Sequence, residues 1–193
     1  MQGFEKFFNQ FPSPSHSKGE FKELINFLEE LKPRVILEIG THRGGTFKFF
    51  ARIIPKDGLL IGIEPDRDHL SSRYPLPKKE IHLVRGFSWE GEVLGEVKKI
   101  LGKRRIDFLY IDADHRYRRV KEDFELYSPL LSKTGVIGFH DIRTPKKEKY
   151  QSFGVKCFFD EVRKGSKSKE ILFGKDYEGS DGIGLLFKEE KKE

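Results

Sequence analysis

Short apolar runs alternate with stretches of helical period along most of this chain. From Lys18 onward, Phe21, Leu24, Ile25, Leu28 and Leu31 recur on one face of a helix, and Pro33 stops it. Val35–Ile39 then reads as a short buried strand, and Leu59–Ile63 as a second after the turn Pro55-Lys56-Asp57-Gly58. Ile81–Val84 is a third, between a loop holding Pro75 and Pro77 and the glycine at Gly86. Trp89–Leu101 has helical spacing through Val93, Val97 and Ile100. Ile106–Ile111 is apolar enough to be a central strand. Val120, Phe124, Tyr127 and Leu131 mark another helix face, which Pro129 ends or kinks. Val136–Phe139 is a fifth strand after Thr134-Gly135, and Gly154–Val162 a helix through Val155, Phe158, Phe159 and Val162. Ile171–Phe173 and Ile183–Phe187 close the pattern as two short strands around Gly179-Ser180-Asp181-Gly182.

Alternating strands and helices predict an α/β fold with a parallel sheet covered on both faces. The last two strands have no helix between them, so they are expected to pair as an antiparallel hairpin at one edge. Neither an internal repeat nor a low-complexity linker interrupts the pattern. Residues 1–20 are read as an N-terminal arm or lid, 21–188 as one domain, and 189–193 as a charged tail. The arm carries Phe4, Phe7, Phe8 and Phe11, suited to packing over a cleft, against a second subunit, or loosely on its own domain.

Chemistry collects where the strands end. In Val35–Gly45 an apolar strand leads through Glu38 to Gly40, Gly44 and Gly45 and into a helix. Open α/β sheets bind nucleotide-type cofactors at such a place. The glycines are spaced Gly40-x-x-x-Gly44-Gly45, not G-x-G-x-x-G. Glu38 would repel a pyrophosphate and suits a cationic amino-acid or sulfonium group. Glu64, followed by Pro65, ends the next strand, where an acidic side chain accepts ribose hydroxyls. Gly86-Phe87-Ser88 follows the third strand, with Ser88 placed for an adenine edge and Phe87 or Trp89 for an apolar wall. The fourth strand delivers Asp112-Ala113-Asp114-His115 and the fifth His140-Asp141. Buried charges are costly unless paired or metal-bound, so two such clusters at matching strand ends read as a divalent-metal or acid–base centre. Asp–His pairs that only hold loops in place are the structural alternative.

Composition narrows the class. Lys+Arg 37 against Asp+Glu 31 gives a formal charge of +6, but the basic residues are interleaved with acidic ones. That pattern fits a solvated mixed-charge surface better than a nucleic-acid stripe. Cys157 is the only cysteine, which excludes an internal disulfide framework. With no signal-peptide pattern and no apolar run of membrane-spanning length, a cytoplasmic protein is expected. Abundant Lys and Glu with few Cys and Met fit a heat-adapted source.

On Leu37-Glu38-Ile39-Gly40-Thr41, Ile111-Asp112-Ala113-Asp114-His115-Arg116-Tyr117, and Leu130-Leu131 through Gly135 to His140-Asp141, the chain resembles class I S-adenosylmethionine-dependent methyltransferases. Within them it is similar to the small O-methyltransferase-like group that includes cephalosporin-hydroxylase-like proteins. The resemblance runs from about Phe21 to Phe187, and Gly182-Ile183-Gly184 resembles that group's final strand. It implies a Rossmann-like three-layer sandwich whose seven-stranded, mostly parallel sheet has its last strand antiparallel. Glu38, Gly40 and Thr41 would hold the methionine part of S-adenosylmethionine, beside Gly44. Glu64 would meet the ribose, Ser88 the adenine and Asp112 the sulfonium, with Pro65 also among the cofactor-binding residues. Asp112, Asp141 and His140 become the metal-site candidates, for Mg, Mn or a similar divalent ion. Catechol-type relatives have Asp-x-x-Lys after the fourth strand and Asp-Asn after the fifth. Here His115 replaces the Lys, as in related sugar O-methyltransferases, and His140-Asp141 replaces Asp-Asn. The implied reaction is metal-assisted O-methylation of a small-molecule hydroxyl with His115 as base, in a protein for which a homodimer is the default assembly.

Rival expectations stay open on the sequence alone. One is a hydroxylase-like enzyme of the same fold. Another is a non-catalytic module that binds RNA or a protein partner. A nicotinamide dehydrogenase fits least, since the glycine spacing is wrong and only Tyr117 and Lys121, four apart, support it.

Overall fold

The computed structural model describes residues 8, 17–66, 76–143, 153–172 and 182–188 of the chain. Of the N-terminal arm only Phe8 and residues 17–20 are described; residues 71–75 of the loop around Ser71–Pro77, residues 144–152 of the Arg143–Phe153 insertion, residues 173–181 and the charged tail lie outside the described residues.

Helix α1 (Lys18–Leu31) opens with Ser17 as cap, its hydroxyl accepting from the Glu20 amide at 3.3 Å. It ends where Lys32 turns left-handed, just ahead of Pro33. Strand β1 (Val35–Ile39), helix α2 (Gly45–Ile53) and strand β2 (Leu59–Glu64) follow. Then come β3 (Glu80–Arg85), α3 (Gly91–Leu101), β4 (Ile106–Ile111) and α4 (Tyr117–Tyr127). A 3-10 turn over Ser128–Leu130 leads into β5 (Leu131–His140), followed by α5 (Phe153–Val162), β6 (Ser168–Ile171) and β7 (Ile183–Phe187).

The sheet has seven strands in the order β3-β2-β1-β4-β5-β7-β6. β1 to β5 run parallel, and β7 lies antiparallel between β5 and β6. The expected hairpin is therefore present, with its second strand inserted inward. Side-chain alternation along the strands sorts the core into two layers. On one face Leu37, Ile39, Leu109 and Phe139 pack under α3, α4 and α5. On the other, Ile36, Leu60, Phe108 and Tyr110 pack under α1 and α2. Each fully buried Phe or Leu contributes on the order of 1.5–3 kcal/mol. Phe8 packs on Phe21 and Phe49, with ring centroids 6.1 and 6.4 Å away. Phe8 thus docks on its own domain.

Some boundaries differ from the sequence pattern. Leu131 belongs to β5, not to the preceding helix face, because Pro129 tightens that helix into the 3-10 turn. β5 then starts five residues before Val136: Ile106 pairs with Leu131 and Phe108 with Val136, so Ser132–Gly135 form the irregular part of the ladder. The helix expected from Trp89 begins at Gly91, and the strand expected at Ile171–Phe173 is Ser168–Ile171.

Candidate active site

Because β1 to β5 are parallel, their carboxyl ends share one edge, and the connections leaving them enclose a cleft of about 1090 Å³. Gly40, Thr41, Glu64, Pro65, Ser88, Asp112, His115, His140 and Asp141, all singled out from the sequence, line it. Two others do not. Glu38 is buried on the α2 face of β1, and Gly44 caps α2 behind Gly45.

On the β1–β3 side the backbone makes the shape. Gly40 has φ +91°, and a Cβ there would stand 2.1 Å from the Asp112 carbonyl oxygen. Only glycine can therefore make this turn against β4. The amides of Gly40 and Thr41 both donate to the Ile63 carbonyl, at 3.0 and 3.3 Å. Glu64 accepts the His42 amide at 2.6 Å and the Asp66 amide at 3.3 Å, so its carboxylate fixes the glycine loop as well as facing the cleft. Both Glu38 oxygens are buried with no hydrogen-bond partner among the described residues, as is Thr41 Oγ1. Burial pushes the Glu38 carboxyl well up, and the charges of Asp112 and Glu64 push it further. Acidic groups converging on a glycine turn, with unused acceptors, suit a cationic ligand carrying N–H and O–H donors.

At the β3 end, Phe87 and Trp89 stack with centroids 4.6 Å apart and rings 13° from parallel. The Arg119 guanidinium lies 3.8 Å from the Trp89 ring centroid on the side of α4. The Tyr127 hydroxyl donates to the Ser88 carbonyl at 2.7 Å. Between these two α4 residues sits Asp123, buried beside Ser88. Burial raises its carboxyl to about 7, although the neighbouring Ser88 hydroxyl favours the ionised form.

On the β4–β5 side, side chains make the shape. His140 Nδ1 lies 3.1 Å from Asp112 Oδ1 and 3.2 Å from Asp141 Oδ2. His115 Nε2 reaches the same Asp141 oxygen at 3.0 Å. Burial would raise the Asp141 carboxyl, but the two imidazoles hold it far below the usual carboxylate range. The hydrogen bond that His115 donates to Asp141 raises the imidazole against the opposing effect of burial. Burial would lower His140; Asp112 and Asp141 together hold it well above its ordinary value. Asp141 itself is left-handed, with φ +62°, a conformation that costs a non-glycine residue energy and tends to mark functional sites. Asp112, His115 and Asp141 each offer one ligand atom, all within 4.8 Å of one another. His140, expected with the two aspartates as a ligand, stands beside this trio and presents Nδ1 to both carboxylates. Asp114 stays apart, locked on Arg116 through its backbone amide and guanidinium.

The sequence reading missed His42, Arg43 and Arg116, which also line the cleft, and Asp123. The signal for Asp123 was a charge three residues after Val120, on the apolar stripe of α4.

The comparisons agree with this architecture. The chain is 28% identical over 141 residues to an uncharacterized protein, R132, of Acanthamoeba polyphaga mimivirus, covering 69% of this chain and 62% of that protein. It spans less than two thirds of the length of the curated relatives it matches. Among solved structures, the O-methyltransferase from Bacillus cereus in complex with SAH has a TM-score of 0.72 at 19% identity, covering 97% of this chain and 91% of that one. TomG from Streptomyces achromogenes, an O-methyltransferase of tomaymycin synthesis in complex with SAM, has a TM-score of 0.68 at 22% identity, covering 97% and 87%. At such identities the likeness is one of fold. The family described as a methyltransferase domain matches residues 37–142, the span from the strand that bears Glu38 to the residue after Asp141. More than half of the chain, including every strand end that lines the cleft, thus falls within that match, and the chain belongs to the methyltransferase domain family.

Proposed function

We propose that this protein is an S-adenosylmethionine-dependent O-methyltransferase acting on a hydroxyl of a small molecule. The observation that carries the reading is the adjacency, in one cleft, of an acidic glycine cradle and the Asp112–His115–Asp141 cluster. The methionine part of the cofactor is assigned to Gly40 and Thr41, with Glu38 buried beneath the turn and Gly44 capping α2 behind it; the ribose goes to Glu64, with Pro65 beside it, and the adenine to Ser88 against Phe87 and Trp89. Asp112 lies where the two halves of the cleft meet. When bound, S-adenosylmethionine supplies an electrophilic methyl group on a sulfonium. Asp112 and Asp141 would hold a divalent cation such as Mg or Mn, which would supply Lewis-acid polarisation of a substrate hydroxyl.

The chain's own residues do the remaining work. Both imidazoles meet Asp141 through Oδ2. His140 keeps Asp112 and Asp141 at a fixed separation. Asp141 orients His115 through Nε2, so Nδ1 is the nitrogen that accepts the substrate proton. Phe87 and Trp89 wall off one side of the cleft. The alternative role for His115, as third cation ligand in place of base, is favoured by its place within the 4.8 Å cluster. An unchanged Mn²⁺ affinity in His115→Ala keeps it a base, and a loss of affinity makes it a ligand.

The same reading has the enzyme working in the cytoplasm, as a homodimer. No helix among the described residues is long and apolar enough to cross a membrane. The test is transfer of labelled methyl from S-adenosylmethionine to a panel of small hydroxyl compounds, with Mg²⁺ or Mn²⁺ and then with chelator. Transfer that chelation stops is the expected result. Failure to bind either S-adenosylmethionine or S-adenosylhomocysteine (SAH) overturns the proposal.

A further inference from the structure

Glu20 is a fully buried acidic residue on α1, on the face that also carries Phe21 and Leu24. Burying a carboxylate is expensive unless it is hydrogen-bonded. Its spacing from Ser17 is that of a capping box, and half of that box is present, since the Ser17 hydroxyl accepts from the Glu20 amide. The carboxylate goes further. Oε2 accepts from the Ser17 hydroxyl at 3.0 Å, and Oε1 accepts the Gly182 amide at 2.9 Å, 162 positions along the chain. A helix cap alone would not need that second contact.

Gly182 is the residue just before β7, whose first residue, Ile183, pairs with His140. It has φ +76°, and a Cβ there would press on Ile142 and Arg143 at about 3 Å. The Gly182 carbonyl accepts the Ile142 amide at 3.3 Å. That amide belongs to the peptide plane leaving Asp141. Fixing it fixes ψ of Asp141, whose φ of +62° already lies in the left-handed region. The hydrogen bonds therefore run Ser17, Glu20, Gly182, Ile142, from the first turn of α1 to the strained residue of the His115–Asp141 pair.

We propose that Glu20 is a positioning residue that holds Asp141 in its left-handed conformation through Gly182, so that the start of α1 sets the geometry of the acceptor side of the cleft. The inference rests on the reading of Asp141 as a cation-holding group. It adds that a residue outside the cleft governs it. Chains of hydrogen bonds can carry coupling of this kind, and the four residues supply one.

The test compares Glu20→Met, which fills the space but removes the acceptor, with Glu20→Gln, which restores an acceptor for the Gly182 amide. Mn²⁺ affinity, SAH affinity and amide exchange in peptides covering Ile142 and Gly182 are measured on each. Glu20→Met is expected to lose at least tenfold in Mn²⁺ affinity and to exchange faster at Ile142 and Gly182, with SAH affinity within about twofold of wild type. Glu20→Gln is expected to return Mn²⁺ affinity and exchange towards wild type, with SAH affinity unchanged. A general loss of stability would instead lower SAH and Mn²⁺ affinity together, and that result overturns the proposal. Unchanged exchange at Ile142 in Glu20→Met overturns it as well. If wild type takes up no Mn²⁺, the cation reading fails, and the exchange comparison alone decides for or against Glu20. If Glu20→Met does not fold, the link is read in wild type by reciprocity: Mn²⁺ slows exchange in the first turn of α1, or the proposal falls.

Discussion

The two sides of the cleft are built by different means. The β1–β3 side is a backbone construction: a glycine turn against β4, amides donating to Ile63 and Glu64, and few side-chain pairs. The β4–β5 side is a side-chain construction, in which two imidazoles and two carboxylates hold one another. The first is fixed once the chain folds locally. The second needs β4 and β5 side by side and the left-handed turn at Asp141. Damage to the first should therefore fall on the fold and the cofactor together, and damage to the second on chemistry alone.

The severest way to break that contrast is at Gly40, where the sides touch. Gly40→Ala puts a Cβ onto the Asp112 carbonyl at a residue with φ +91°. Steric overlap and backbone strain together are expected to cost about 3 kcal/mol or more, read by urea unfolding, with loss of SAH binding. An unchanged midpoint would show that this turn has slack. A smaller effect sharpens the comparison at Asp123, behind the backbone-built side. Its carboxyl is raised to about 7 in the folded protein. Between the ordinary carboxylate range and pH 7 the folded state keeps a proton that the unfolded state has released. Its contribution to stability therefore falls as pH rises through that window. Asp123→Asn should flatten that part of the pH dependence and gain about 1–3 kcal/mol at pH 8, measured by denaturant melts at several pH values. A variant less stable than wild type at pH 8 would mean that the ionised carboxylate holds Ser88 firmly.

The difference between the sides also explains what the sequence could reveal. β1, β4 and β7 start and stop where their mostly apolar runs do, because interior strands, parallel or antiparallel, are covered on both faces. Gly40 and Glu64 were legible since a glycine turn and a strand-ending acid act locally. Asp112, His115, His140 and Asp141 were legible as two clusters, but not in their pairing. That Asp141 receives both imidazoles depends on β4 and β5 lying adjacent and on a left-handed residue that no local pattern announces. The bulge before Val136 was missed because polar Ser132–Thr134 imitate a turn. Glu20 and Asp123 stand among apolar helix positions; the Gly182 amide that Glu20 holds lies 162 residues away, and Asp123 is buried with no hydrogen-bond partner among the described residues.

The central claim is that the β4–β5 side carries the chemistry while the β1–β3 side holds the cofactor. It is tested most directly by His115→Ala, with methyl transfer and SAH affinity measured on the same preparation. The account predicts transfer reduced by about 10²–10⁴-fold, with SAH affinity within about threefold of wild type. Normal turnover by His115→Ala would contradict it.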